Sequence, residues 1–397
     1  MCLVVSCVLC RVRLVGDKRA GDTLTMPFVP PSPGSSFSRI SRSPLASRPP
    51  AYFPDPDTPT VGELWRRPDD VAVVDAGPPR CEPDRNTPAL LGNAGVCLGL
   101  VKGHAARVRA VAVVGTQVWS GSLASSVLVH EAATGKLVGS LSCSAGSERA
   151  QAARRAAVPA ESQGAPLDEH VSALLAVGDT VWIGFSSGRL GVWNAKSGLE
   201  MEELAGPSSD AHAEITALAL VANTVWIASA DGGIAVWDAR GRVCNTVLSG
   251  HTNGVRALLC VTVPALQGLP QVAVWSASDD NTIRMWDPQS GETRHILDAH
   301  TGAVLALAAD DAGRVWSGGA DKSILVWNAA SGKLEADITP SAAGWVTDLV
   351  WATPFMWAAS TDRSVRIYSS TPVCLRICHG HGGWVTALTR VRNTVWS

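Results

Sequence analysis

The sequence predicts an all-β propeller of seven blades, and three observations support this prediction. Tryptophan recurs at intervals of roughly 40 residues, a second position follows each tryptophan at a fixed distance, and the intervening residues alternate as in β-strands. Six periods are clear. We expect the seventh to be either incomplete or closed by strands from the N-terminal part of the chain.

The first repeated mark is a tryptophan preceded by Val or Met. Its successive spacings are 63, 44, 49, 41, 41 and 39 residues. The series is Trp119, Trp182, Trp226, Trp275, Trp316, Trp357 and Trp396. Eleven residues after each of the first six stand His130, Trp193, Trp237, Trp286, Trp327 and Tyr368. A period of this length is typical of solenoids and propellers.

The local pattern within a period favours strands over helices. In "VWSASDDNTIRMWD", residues 274–287, a polar turn is followed by Ile283 and Met285 alternating with Thr282 and Arg284. This pattern predicts a β-hairpin. The segments "TRHILDAH" and "GAVLALAAD" that follow predict two more short strands. Each period therefore holds four strands, which is the content of one propeller blade.

The N-terminal region differs in composition. We predict that residues 1–60 are disordered, because 27–60 is dense in Pro, Ser and Arg and offers little surface to bury. Pro49, Pro50 and Tyr52 fit the P-P-x-Y pattern that WW domains bind, and the alternative is a plain linker.

The remaining boundaries follow from the repeats. Residues 61–95 are assigned to a linker with a candidate closing strand, and 96–397 to the propeller, with a mobile insertion at 143–169. The partner of Trp396 would fall near position 407, beyond the last residue. Either N-terminal segments such as 69–77 and 95–104 complete this blade, or the chain is a fragment of a longer protein.

Bulk properties limit the function classes. The net charge is −2 and only 17% of residues are charged, which gives no electrostatic case for nucleic acid or for an anionic membrane. The apolar run at the N-terminus is too short to span a bilayer. Ten scattered cysteines form no disulfide framework, so we predict a cytoplasmic protein with reduced thiols.

Two motifs are typical of chemistry, but their context disfavours it. "GFSSG" at 184–188 fits G-x-S-x-G, yet Ser186 lies in a predicted strand–turn–strand hairpin and not in a strand–turn–helix elbow. Cys374, Cys378 and His381 lack a second Cys/His pair at zinc spacing. We therefore predict no catalytic residue, no metal and no cofactor.

The repeats resemble the WD40 family. Gly-His, an inner strand, a "VWSGS" strand, an Asp turn and a strand ending in Trp-Asp occur in that order, with Trp237-Asp238 and Trp286-Asp287 as the clearest endings. The resemblance covers about three quarters of the chain. It implies hydrogen-bonded networks in three periods: His251 with Ser276 or Ser278, Asp280 and Trp286; His300 with Ser317, Asp321 and Trp327; and His212 with Ser229, Asp231 and Trp237.

Three periods depart from this pattern. The first has Ala124 for the Asp and His130 for the Trp, and the second has Leu167 for the His and Ser187 for the Asp. The sixth has Ala342 for the His. We expect the paired aromatic residues, more than such networks, to hold these blades together.

The resemblance also implies a shared binding face. In this family the residue before each inner strand and the residue beside each turn Asp lie on one side of the ring. The first set is Arg107, His170, Glu214, Gly254, Ala303, Trp345 and Trp384, and the second includes Asn281, Lys322 and Arg363. From these we predict a partner-binding face of Arg107, His170, Trp345, Trp384, Lys322 and Arg363.

Trp345 and Trp384 lie outside the repeated tryptophan positions, in adjacent "GWVT" segments. Exposed Trp flanked by Arg is typical of interface hot spots. The alternative is that both side chains cap the inner strands and stack on neighbouring blades.

We predict a non-enzymatic scaffold that binds other proteins. The alternative is the regulatory propeller of a longer enzyme, because the strand pattern is similar to the N-terminal propeller of inositol polyphosphate 5-phosphatases. Their catalytic domain is absent here, and a phosphoinositide link rests on that resemblance alone.

Overall fold

The computed structural model describes residues 7–13, 97–104, 106–124, 126–142, 169–198, 200–204, 213–263, 271–392 and 394–397. They form 28 strands in seven four-stranded antiparallel sheets, and no helix occurs in this part of the chain. The described residues lie in one compact unit, Met1–Gly16 with Ala76–Ser397. The prediction of an all-β propeller with six clear blades is confirmed.

Six sheets, called blades 1 to 6, are each built from four consecutive strands ordered from the inner to the outer edge. Blade 1 contains β3 to β6, and each later blade takes the next four strands. In chain order they are β3 Val108–Val114, β4 Gln117–Ser122, β5 Ser126–Glu131, β6 Leu137–Ser142, β7 Val171–Val177, β8 Thr180–Phe185, β9 Leu190–Asn194, β10 Glu200–Leu204, β11 Ile215–Val221, β12 Thr224–Ser229, β13 Ile234–Asp238, β14 Cys244–Leu248, β15 Val255–Val263, β16 Gln271–Ser278, β17 Ile283–Trp286, β18 Thr293–Leu297, β19 Val304–Ala309, β20 Arg314–Gly319, β21 Ile324–Asn328, β22 Leu334–Ile338, β23 Val346–Ala352, β24 Phe355–Ser360, β25 Ser364–Tyr368 and β26 Cys374–His379.

The seventh sheet, blade 7, combines the two ends of the chain. From the inner edge outward its strands are β27 Thr389–Val391, β28 Thr394–Trp396, β1 Cys7–Arg13 and β2 Cys97–His104. β1 pairs antiparallel with both β28 and β2. Backbone donors and acceptors of the N-terminal strand thereby cover the outer edge of β28, which is paired on both sides.

The sequence offers two N-terminal segments, 69–77 and 95–104, as candidates for the outer strands of blade 7. The candidate segment 95–104 contains β2, whereas the candidate 69–77 lies outside the described residues. The third strand of blade 7 is β1 instead, and it falls within the segment 1–60 for which disorder is predicted. For the rest of 1–60, for 61–95 and for the insertion, which is described only at 169, the predictions stay predictions.

The blades follow one another in a closed ring of inner strands, in which β27 contacts both β23 and β3. Side-chain hydroxyls at or shortly before the start of these strands donate to a backbone carbonyl at the corresponding place in the next blade. Thr386 Oγ1 donates to the Val108 carbonyl at 2.6 Å and so joins the last blade to the first. The same link occurs at Ser172, Thr216 and Thr347.

Each repeated tryptophan is buried between two blades. All seven have 0–1% exposure, and each packs against residues of the next blade. Trp275, for example, shares a cluster with Val304, Val315 and Trp327 of blade 5. Burial of an indole of roughly 200 Å² contributes up to about 5 kcal/mol, so these contacts are the main cohesion between blades.

We expect that removing residues 1–13 destabilises the propeller, because β28 then loses its outer neighbour. The melting temperature should fall by about 10 °C relative to the full chain. Differential scanning calorimetry would measure this. Removal of residues 1–4, which precede β1, is the control, and equal melting of both truncated chains would contradict closure by β1.

Candidate partner-binding face

A recurring backbone bond fixes which residues share a face. In blades 1 to 6 the carbonyl before the inner strand accepts a hydrogen bond from the residue that follows the second strand. In blade 6, Thr361 N donates to the Trp345 carbonyl at 3.1 Å, and in blade 2, Ser186 N donates to the His170 carbonyl at 3.0 Å. The equivalent carbonyls are those of Arg107, Glu214, Gly254 and Ala303. The residues before the inner strands and the turns after the second strands therefore lie together, on what we call the upper face.

Blade 4 contains a complete hydrogen-bonded network. His251 Nδ1 lies 2.8 Å from Asp280 Oδ2, and His251 Nε2 lies 2.7 Å from Ser276 Oγ. Trp286 Nε1 donates to the same hydroxyl at 2.8 Å. Ser276 is thus the network serine, whereas Ser278 donates to the carbonyl of residue 253. Burial alone would raise the pKa of Asp280, but hydrogen bonds from Thr282 and His251 lower it to about 2.

Blade 5 repeats this arrangement. His300 lies 2.8 Å from Asp321 and 2.7 Å from Ser317, and Trp327 donates to Ser317 at 2.8 Å. Burial opposes ionisation of Asp321, but hydrogen bonds from His300 and Ser323 lower its pKa to about 2. Both networks fix their turns because every polar group in them is satisfied.

Blade 3 is assembled differently from the predicted network. Ser229 donates to Asp231, but Trp237 Nε1 has no hydrogen-bond partner among the described residues. The reason is positional: Ile227 occupies the place of Ser276, and Ser229 occupies the place of Ser278. His212 lies outside the described residues.

The remaining blades use substitutes. In blade 6, Asp362 pairs with Arg366 at 2.7 Å and Tyr368 donates its hydroxyl to the Ser341 carbonyl at 2.9 Å. In blade 2, Arg189 pairs with Glu169 at 3.0 Å. The two repeated aromatic positions are buried in both blades, as Trp182 and Trp193 and as Trp357 and Tyr368. That their packing contributes more than the polar contacts stays a prediction.

Two histidines outside the three predicted networks also contact a serine. His104 lies 2.7 Å from Ser120, and His381 lies 2.9 Å from Ser397. Their signal in the sequence was the Gly-His pair at 103–104 and 380–381, which also occurs before the inner strand of blade 4. Burial lowers the pKa of both rings to about 4, so both are neutral at pH 7.

The tryptophans divide sharply by exposure. Of the fourteen in the described residues, the eleven at repeat positions are at most 6% exposed, whereas Trp345, Trp351 and Trp384 are partly exposed. Trp345 and Trp384 lie on the upper face of adjacent blades. The guanidinium of Arg107 lies 4.8 Å from the Trp384 ring centroid. Trp384 thus contacts a residue of the neighbouring blade 1, which is part of the arrangement that the alternative interpretation describes.

Lys322 and Arg363 project from adjacent turns of blades 5 and 6. Both are exposed and adopt the left-handed conformation, with φ of 66° and 69°. Gly188 and Gly232 occupy the same position in blades 2 and 3. Neither basic side chain makes a hydrogen bond or an ion pair within the part of the chain that the structure describes.

His170 belongs to a charged cluster on the opposite half of the upper face. Arg109 lies 2.9 Å from Glu214 and 3.5 Å from His170, and Arg256 lies 2.5 Å from Asp279. Burial would raise the pKa of Glu214, but His170 and Arg109 lower it to about 2. The structure thus places His170 apart from Trp345, Lys322 and Arg363.

The motifs typical of chemistry have structural explanations. A Cβ at Gly184 would lie 2.5 Å from Ile215 of the next blade, and Gly188 has a φ of 80° in the hairpin turn. Ser186 accepts a hydrogen bond from the His170 backbone N–H. Among the described residues no group of three or more His, Cys, Asp or Glu side chains could hold a metal ion. Tyr52 and the two prolines near it lie outside these residues.

Asp348 is an unexpected acidic residue at an alanine position. The equivalent residue of the other six blades is alanine: Ala110, Ala173, Ala217, Ala257, Ala306 and Ala387. Its carboxylate accepts hydrogen bonds from Leu388 N of blade 7 at 2.6 Å and from Leu349 N at 2.8 Å. The surrounding protein desolvates this carboxyl and raises its pKa to about 7, although the residue keeps partial exposure.

Comparison with known proteins supports the repeat assignment. Residues 242–287 and 291–328 match the family model "WD domain, G-beta repeat". No curated protein matches the chain. Among solved structures, the crystal structure of the computationally designed Ika8 protein is similar, with 24% identity and a TM-score of 0.51 over 74% of this chain and 96% of that one. That similarity shows the fold alone.

The described residues include no helix with the length and hydrophobicity needed to cross a membrane.

The blade networks lead to a stability prediction. Trp286→Phe should cost about 1 kcal/mol more than Trp237→Phe, because only Trp286 donates a hydrogen bond to a described side chain. The two tryptophans are matched controls, since both are buried at equivalent positions of adjacent blades. Urea unfolding would measure the difference, and equal losses would count against a contribution from the network.

Asp348 leads to a pH-dependent prediction. Folding raises the pKa of Asp348 to about 7. Between about pH 4 and pH 7 the folded protein therefore keeps the carboxyl protonated, whereas the unfolded chain has released the proton. The contribution of Asp348 to stability is therefore lost as the pH rises through this window. Asp348→Asn should therefore stabilise the protein more at pH 8 than at pH 5, with a difference of about 3 kcal/mol between the two values.

Chemical unfolding at both pH values would test this expectation. Asp298→Asn is the control, because Asp298 is an exposed carboxylate. A gain from Asp348→Asn that is the same at pH 5 and pH 8 would contradict the role of its charge.

Proposed function

We propose that this WD40 β-propeller is a scaffold that binds a protein partner through its upper face, with Trp345 and Trp384 as the principal contacts. The observation that carries the proposal is the partial exposure of these two indoles. All repeat tryptophans are buried in blade packing, so these two are additions to the repeat that the core does not use.

The chemistry of the surface supports a protein partner. Trp and Arg are the residues most enriched in interface hot spots. Arg107 is held over the ring of Trp384, so part of this surface is ordered before binding, which reduces the entropy lost on association.

Three further expectations from the sequence belong to this proposal. A cytoplasmic location, the absence of catalysis and the Tyr52 motif as a WW-domain ligand are expectations from composition and motif. The comparisons do not support the alternative of an inositol polyphosphate 5-phosphatase propeller, and no observation on the described residues favours it.

The double variant Trp345→Ala/Trp384→Ala tests the proposal. Affinity purification from an extract of the source cells, quantified by mass spectrometry, should show proteins that are lost from the variant and retained by the wild type. The expected loss is at least about tenfold, because one hot-spot tryptophan contributes 2 kcal/mol or more.

Trp351→Ala is the matched control, since Trp351 is also partly exposed but lies at the other end of β23. Melting temperatures of all three proteins check that the fold is intact. A well-folded double variant that retains the same bound proteins as the wild type would contradict the proposal.

A further inference from the structure

We infer that the partner segment bound by the upper face is an acidic peptide whose carboxylates lie over blades 5 and 6, against Lys322 and Arg363. This inference rests on the proposed function and adds the chemistry and orientation of the partner.

The charges of the upper face are divided between its two halves. The carboxylates of Glu169, Glu214 and Asp279 belong to blades 2 to 4, and each is paired with an arginine. The exposed carboxylate of Asp231 also lies in this half, in blade 3. Blades 5 and 6 instead present Lys322 and Arg363, and Arg107 lies over Trp384.

The acidic residues next to the two cations in the sequence form no ion pair with them. Asp321 faces His300, and Asp362 faces Arg366, with 8% and 14% of their side chains exposed. Lys322 and Arg363 follow these aspartates directly but point away into solvent, without a partner in the described residues. A ligand approaching this half of the face therefore meets positive charge first.

The small number of basic residues on this surface favours a peptide over a nucleic acid or a membrane. Two cations beside two indoles match a few carboxylates followed by an apolar side chain. A nucleic-acid site or an anionic membrane surface needs a larger cluster of basic residues.

Lys322 and Arg363 both have a left-handed backbone conformation, so glycine can replace them without straining the turns. Glycine adopts positive φ without strain, whereas a residue with a Cβ adopts it at a cost. Lys322→Gly and Arg363→Gly thus remove the charges while keeping the turn bonds, which run from the two backbone N–H groups to the carbonyls of Gly319 and Ser360. The double variant should melt within a few degrees of the wild type.

Arg392→Gly is the matched control. Arg392 is also exposed and also has a positive φ, of 52°, but it lies in the β27–β28 hairpin turn on the opposite face. The control removes the same type of side chain and relieves the same type of backbone strain.

The experiment is selection of random twelve-residue peptides displayed on phage by the full chain and its variants. The wild type and Arg392→Gly should enrich peptides rich in Asp and Glu. For a selected peptide, Lys322→Gly/Arg363→Gly should weaken binding by about three- to tenfold in fluorescence anisotropy. Raising the salt concentration should reduce this difference, because exposed charges are screened.

Different outcomes separate this inference from the proposed function. Selected peptides that are not acidic, but need Trp345 and Trp384, would overturn the inference and leave the proposed function standing. Selection that no upper-face variant changes would overturn both. Binding of phosphatidylserine vesicles or of single-stranded DNA through Lys322 and Arg363, without acidic peptides being selected, would also overturn the inference.

Discussion

The packing of one tryptophan per blade against the next blade is the interaction on which the rest of this structure depends. A four-stranded sheet with an indole on its face is stable only when a second sheet covers that face. Here the cover is the next blade, including the aromatic residue of its third strand: Trp182 packs with Trp237, and Trp226 packs with Trp286. The same requirement extends around the ring to Trp396, whose ring lies 6.4 Å from that of His130 in blade 1.

This requirement explains why the ring uses both ends of the chain. Blade 7 must cover Trp357 of blade 6 and place Trp396 against blade 1. Its inner two strands come from the C-terminal end, and β1 and β2 supply the outer two. A sheet edge left open at β28 would expose backbone groups and loosen the packing on both sides.

A ring of similar blades also concentrates variation on its faces. The core positions are occupied by Trp, Val and Ile, whereas the turn positions differ from blade to blade: Gly232 in blade 3, Lys322 in blade 5 and Arg363 in blade 6. The fold thus tolerates different residues at these positions, and the proposed binding function uses such residues. The partly exposed Trp345 and Trp384 are the clearest example.

Much of the fold and some of the site could be predicted from the sequence, because each blade is a local structure. Strands, hairpins and the network of blade 5 involve residues within about 40 positions of one another, and their pattern repeats. Ser278 could not be separated from Ser276, because the two serines are two residues apart on the same face of β16 and only the position of His251 along that strand decides which one it reaches. In blade 3 the same ambiguity assigned Ser229 to a network with Trp237 that the structure does not form.

By itself the sequence determined the repeat, the strand content, the buried tryptophans and the two added ones. Only the tertiary structure decided that Cys7–Arg13 pairs with β28, because strand pairing between distant segments leaves no periodic pattern in either segment. The same holds for Asp348 and Leu388, and for the separation of His170 from Lys322 and Arg363. These relations depend on which blades are neighbours and on the direction in which each side chain points.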